Sequence, residues 1–129
     1  MDTPYRINGA LAVVTGAAQG LGLGISEELA SNGATVIMAD LQTNKVAEEA
    51  SKLGARGLNV HPRQLDITDS ISVTAMFNEL AEEHGKLDIL VNNAGVGQKV
   101  TPVVDLGDEE WDRVIRVTLT GAFYCCRAA

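Results

Sequence analysis

Cysteine is scarce in this chain: the 129 residues contain two, Cys125 and Cys126, and they are adjacent within a helical pattern. Neighbours on a helix cannot easily meet the geometry of a disulfide, so both are expected as small core or surface residues rather than as a redox pair. Positive charge is also short. Ten Lys and Arg against seventeen Asp and Glu leave a formal net charge of −7, with no basic stripe to follow a phosphodiester backbone, which argues against nucleic acid as a partner. A bound nucleotide stays compatible with that charge, because a helix start can hold phosphate locally. Long apolar runs are missing as well. The opening residues, Met1-Asp2-Thr3-Pro4-Tyr5-Arg6, lack a basic start leading into an apolar stretch, so neither a leader nor a membrane span is expected and the chain reads as soluble and cytoplasmic. The two histidines, His61 and His84, have no cysteine, carboxylate and histidine set around them at metal-ligand spacing, so no metal site is expected.

What is present is an alternation of strand and helix signals. At 129 residues and 46% hydrophobic content, one globular domain is the natural size. Leu11-Ala12-Val13-Val14 reads as a strand buried on both faces. A helical face follows through Ile25, Leu29 and Ala30 to a stop at Asn32-Gly33. Residues 35–39 form a second apolar run that ends in the carboxylate of Asp40. Val46, Ala47, Ala50 and Leu53 keep helical spacing up to Gly54. In residues 58–65, Pro62 removes a ladder donor, so this third strand belongs at a sheet edge. Thr68-Asp69-Ser70 can cap a helix carrying Val73, Met76, Phe77, Leu80 and Ala81, which Gly85 ends. Residues 87–91 form a fourth strand, followed by the turn Asn92-Asn93-Ala94-Gly95-Val96-Gly97 and a loop to about Asp108. A last helix begins at the acids Asp108-Glu109-Glu110 and continues through Trp111, Val114, Ile115, Leu119 and Ala122. This order predicts an α/β fold of Rossmann type, a doubly wound parallel sheet with strand order 3-2-1-4, incomplete because no strand follows the fourth.

Chemistry concentrates at the loop Thr15-Gly16-Ala17-Ala18-Gln19-Gly20-Leu21-Gly22, which joins a strand to a helix. Glycines there let the backbone turn tightly and approach a pyrophosphate facing the helix start. About 20 residues on, Asp40 ends the second strand, at the spacing where a carboxylate accepts from the hydroxyls of an adenosine ribose. That carboxylate repels a 2′-phosphate, and neither Gln19 nor Leu41 offers a compensating cation, so NAD is expected over NADP.

With these residues in place, the chain resembles the N-terminal half of the short-chain dehydrogenase/reductase family. The loop Thr15-Gly16-x-x-x-Gly20-x-Gly22, Asp40, Asp66-Ile67 and Asn92-Asn93-Ala94-Gly95 match in order and spacing. The resemblance implies that residues 1–129 are the N-terminal part of a single NAD-binding domain. Within it, Gly16, Ala18, Gln19, Gly20, Leu21 and Gly22 serve the pyrophosphate and ribose, with Asp40 and Leu41 beside them. Asp66 and Ile67 meet the adenine. Asn93, Ala94 and Gly95 border the adenosine and nicotinamide side, while Asn92 steadies the neighbouring strands.

The resemblance also implies an oxidoreductase acting on an alcohol or carbonyl. The serine and the tyrosine-lysine pair that family enzymes use for proton transfer are not found; Tyr124 has Ala128 at the lysine offset and reads as a surface or packing residue. The chain by itself is therefore expected not to turn over. Where the family usually has a relay asparagine in the last helix, Thr118 stands, and its hydroxyl can bond back to its own helix. Two other readings stay open: a non-catalytic nucleotide-binding module completed by another chain, and a Rossmann-like methyltransferase suggested by Gly20-x-Gly22-x-Gly24 with Asp40. An uncovered fourth strand and the apolar face of the last helix further imply weak stability or self-association. Family members usually form dimers or tetramers through that helix.

Overall fold

The computed structural model describes residues 6–129; the leader-free reading of residues 1–5 falls outside them. Strands β1 (Leu11–Thr15), β2 (Thr35–Asp40), β3 (Val60–Gln64) and β4 (Ile89–Val91) form one sheet in the order β3-β2-β1-β4. All pairs are parallel, with Val13 opposite Ile37 and Leu90, and Ile37 opposite His61. The expected order is thus the observed one. Helices α1 (Gly20–Ser31), α2 (Thr43–Ala55) and α3 (Ser70–His84) make the crossovers, and α4 (Asp108–Val114) and α5 (Gly121–Ala128) follow β4. None of them is long and apolar enough to cross a membrane.

The two faces of the sheet are built by the alternation of β1 and β2 side chains. Leu11, Val13, Ile37 and Ala39 point to a layer completed by Val73, Met76, Phe77 and Leu80 of α3 and Cys125 of α5. Ala12, Val14, Val36 and Met38 point the other way, onto Ala30 of α1 and Val46, Ala50 and Leu53 of α2. A strand buried on both faces is apolar along its length, as LAVV and VIMA are, and the polar residues that end them, Thr15 and Asp40, are buried with hydrogen-bond partners.

The edges behave differently. Pro62 lies in β3, paired only with β2, so its missing N–H costs no ladder bond to a second neighbour. Arg63 on the same strand holds α3 through Glu79 and Glu83 at 3.1 and 2.8 Å. Strand β4 is shorter than the sequence implies, three half-exposed residues paired with β1 alone. Its start is fastened by Asp88, whose Oδ2 accepts from the Leu11 N–H and from the Lys86 ammonium, both at 2.8 Å.

Three boundaries need correction. Helix α2 runs through Gly54 to Ala55, because one glycine costs a helix only about 1 kcal/mol and Leu53 is buried beside it. The loop before α4 contains a 3-10 turn at Val103–Asp105. The last helix is not continuous: a π-helical turn, Ile115–Thr120, separates α4 from α5. A π turn carries one more residue than an α turn and so re-aims the helix beyond it. Here Gly121 and Cys125 turn inward, with Gly121 seated against Ile67 so closely that a Cβ would lie 2.5 Å from its Cδ1.

Shortening Ile37, fully buried in the central layer, to alanine should cost about 2–5 kcal/mol of stability. Ile71→Ala, at a residue 81% exposed, should stay within about 0.5 kcal/mol. Urea unfolding followed by circular dichroism measures both, and equal costs would contradict this assignment of the core.

Candidate functional site

The loop after β1 turns into α1 through two glycines with left-handed backbone, Gly16 (φ 64°) and Gly20 (φ 56°). Helix α1 begins without a side-chain cap at Gln19. By contrast α3 is capped by Asp69, whose Oδ1 accepts from the N–H groups of Ile71 and Ser72 at 3.1 and 3.3 Å. The uncapped start leaves first-turn N–H groups available to an anion, and Gly20 and Leu21 there line a cavity of about 660 Å³. Gly22 does something other than line that space. A Cβ on it would fall 2.2 Å from the Gly16 carbonyl oxygen and 2.5 Å from Asn93 Nδ2, so its place is the close contact between helix and loop.

Beside the loop, the ends of β1 and β4 are joined by polar bonds. The buried Thr15 hydroxyl accepts from the N–H groups of Asn93 and Ala94 at 3.1 and 3.0 Å, and donates to the Val91 carbonyl at 3.4 Å. Asn93 Nδ2 donates to the carbonyls of Thr15 and Gly16, each at 3.1 Å. The strand-steadying role expected of Asn92 therefore belongs to Asn93. The Asn92 amide turns away and donates to the exposed Cys126 Sγ at 3.2 Å, because consecutive residues at a strand end face opposite sides.

Asp40 is buried, and each of its carboxylate oxygens takes one backbone N–H: Oδ2 from Ala18 at 3.0 Å, Oδ1 from Gln42 at 2.8 Å. Ala18 thus meets the site through its backbone, holding Asp40, and its own side chain is buried in the core instead of lining the cavity. A carboxylate has about four acceptor positions, so two bonds leave capacity toward the cavity that Asp40 lines. One charge was missed by sequence reading. Lys45, from the first turn of α2, donates to the Gln19 side-chain oxygen and brings a cation to the cavity rim.

Gly16, Gln19, Gly20, Leu21, Asp40, Leu41, Asp66, Ile67, Asn93, Ala94 and Gly95 all line this one cavity. It opens where β1 to β4 end, the side on which ligands bind in open parallel sheets. Asp66 uses one oxygen within its own turn, accepting from Thr68 N and Oγ1 at 2.9 and 2.7 Å. Ile67 is mostly core, packed on Gly121. Residues not foreseen include Gln42, Thr68, Val96, Arg116 and Val117. Arg116 and Val117 sit on the π turn, which a regular helical period does not reveal. Thr118, on the same turn, does not bond back to its helix; its hydroxyl accepts from the Val96 N–H at 3.3 Å.

The rim after β4 is held by a second set of bonds. Glu110 Oε1 accepts from the Lys99 N–H at 3.2 Å, and Arg113 Nη2 donates to the Gly97 carbonyl at 2.9 Å and to Glu110 at 2.8 Å. The Arg113 guanidinium, then the Lys99 N–H, hold the Glu110 carboxyl at about 2, well below its ordinary 4.5. Among the described residues no group of histidine, cysteine and carboxylates is placed to hold a metal.

A family model described as short chain dehydrogenase matches residues 10–129. Over 124 residues the chain is 42% identical to a galactitol 2-dehydrogenase of Rhizobium johnstonii, covering 96% of this chain and 48% of that protein. Among solved structures, a short chain dehydrogenase/reductase from Burkholderia phymatum in complex with NAD superposes with a TM-score of 0.89 at 30% identity, covering 96% of this chain and 44% of that one. A metagenomic short-chain oxidoreductase in complex with NADP gives 0.88 at 33% identity, with 96% and 56% covered. The chain spans about half the length of the curated relatives it matches.

Because the Glu110 carboxyl is depressed in the folded chain, its bonds should be complete above about pH 4.5 and be lost only as pH falls through about 2. Titration of the Lys99 amide resonance by NMR should show that low midpoint in the native chain and none in Glu110→Gln. A midpoint near 4.5 would contradict the clamp.

Proposed function

The chain belongs to the short-chain dehydrogenase/reductase family, and from that premise we propose that it is the coenzyme-holding half of an NAD-dependent oxidoreductase acting on an alcohol or its carbonyl partner. The observation that carries the proposal is the single cavity that gathers the glycine loop, Asp40, Asp66 and the Asn93 to Gly95 turn. When bound, the nicotinamide supplies the hydride acceptor or donor. The chain's own residues bind and orient. The start of α1 offers free N–H groups and a helix dipole to the pyrophosphate, while Gly16 and Gly20 supply the left-handed backbone that turns the loop into the helix. Asp40, fixed by two backbone N–H groups, accepts from the ribose hydroxyls with its remaining lone pairs. Asp66 keeps one carboxylate oxygen unused by its turn for the adenine edge, and Ile67 gives that ring an apolar wall.

Proton transfer to the substrate needs a positioned acid or base, and no Tyr-x-x-x-Lys pattern occurs in the sequence. General acid and base groups typically contribute about 10²–10⁴-fold in rate, and substrate positioning adds more. The 129-residue chain should therefore bind coenzyme without turning over. Polyols are the substrate class to try first with a full-length form, given the galactitol 2-dehydrogenase among its relatives. Self-association belongs to the same proposal: Trp111, Leu119 and Phe123 are 57%, 63% and 53% exposed along α4 to α5, and the outer edge of β4 has no strand beside it among the described residues.

Calorimetric titration with NAD should show one site, and Asp40→Asn should weaken it by about tenfold or more, since a charge-assisted bond to ribose is lost. No NADH should accumulate with galactitol. Absence of NAD binding to folded chain, or turnover abolished by changing its own side chains, would overturn the reading.

A further inference from the structure

Resting on the reading of the cavity as a coenzyme site, we propose that Lys45 sets how strictly this chain prefers NAD to NADP, by leaving Gln19 to pair with a 2′-phosphate. Lys45 is exposed in the first turn of α2, and its ammonium is bonded to the neutral side-chain oxygen of Gln19. Lys52 and Lys86 meet carboxylates at 3.0 and 2.8 Å; no such partner is found for Lys45 among the described residues. Its charge is therefore held at the rim without being neutralised. Gln19, Asp40, Leu41 and Gln42 form the adjacent cavity wall, and Lys45 reaches that wall through Gln19, the residue after the Ala18 N–H that holds Asp40.

Two charges of opposite sign, one fixed and one on a long exposed side chain, therefore stand at the Gln19 and Asp40 side of the cavity, which the coenzyme reading gives to the ribose. Asp40 is fixed in the core by Ala18 and Gln42 and cannot turn away from an added phosphate. Lys45 is the reverse, a long exposed side chain whose partner, the Gln19 amide, carries no charge. A phosphate monoester carries about −1.5 to −2 at pH 7, and an ammonium gains more from that anion than from an amide oxygen. Exchanging Gln19 for the phosphate releases the amide, which can donate to the same oxygens through its NH₂. Lys45 thus offsets part of the repulsion from Asp40, and NADP is accepted more weakly than NAD but is not shut out. This cation comes from a residue 26 positions after Gln19, outside both places where a compensating charge is absent in the sequence.

The test is calorimetric titration of the native chain, Lys45→Ala and Lys45→Arg with NAD and with NADP. Lys45→Ala should weaken NADP by about fivefold, the scale of an exposed charge pair, and leave NAD within about twofold; Lys45→Arg should keep the native ratio. Raising salt from about 0.05 to about 0.3 M should lower the ratio of NADP to NAD affinity in the native chain more than in Lys45→Ala, since the shared pyrophosphate cancels. No NADP binding to the native chain, an equal loss of both coenzymes in Lys45→Ala, or no loss would each overturn the proposal. If the native chain fails to bind NAD, the coenzyme-site reading falls first and takes this one with it.

Discussion

A buried hydroxyl bridges two strands at the point where the sheet reverses its order, and the site depends on that bridge. Thr15 ends β1, and its oxygen receives the N–H groups of Asn93 and Ala94 just past β4. The Asn93 amide returns two bonds to the backbone of Thr15 and Gly16. Gly22 then fits against Gly16 and Asn93 with no room for a Cβ. Loop, helix start and the turn after β4 are positioned as one piece by these contacts. Left unpaired in the interior, the same polar groups would each cost about 1–3 kcal/mol. The bonds therefore hold two strand ends in register and keep the cavity wall in one conformation.

Charge is arranged around that piece with similar economy. The Asp40 carboxylate is removed from water, but two backbone N–H groups compensate it and fix it in the cavity wall. Helix α1 is left without a side-chain cap on the cavity side, while α3, away from the glycine loop, has one in Asp69. At the opposite rim, Arg113 and Glu110 hold the backbone of Gly97 and Lys99. Every one of these devices uses backbone donors or acceptors. An acidic chain can in this way leave helix N–H groups open toward a cavity without a basic surface.

The sheet order and its core were legible because they follow from strong local patterns: apolar runs on β1 and β2, helical spacing between them, and Pro62 marking an edge. The cavity lining was legible where short motifs follow strand ends. Details set by tertiary contact were not. Asn92 and Asn93 are identical in type, and only the direction of the pleat decides which one ties the strands. Ala18 and Gly22 belong to the loop motif yet act through backbone and close packing, away from the cavity. The π turn at residues 115–120 hides in an unbroken helical pattern and carries Arg116 and Val117 into the wall. Lys45 reaches Gln19 across two elements, a contact that sequence distance conceals.

Amide hydrogen exchange of the 129-residue chain with and without NAD tests the central claim most directly, because it reads where the coenzyme acts. Protection should rise at the start of α1, after Asp40, around Asp66 to Thr68, and from Asn93 to Val96, while the hollow at the opposite end of the strands near Ile7 and Lys86 stays unchanged. Protection confined to that opposite end, or no change anywhere with saturating NAD, would contradict the account.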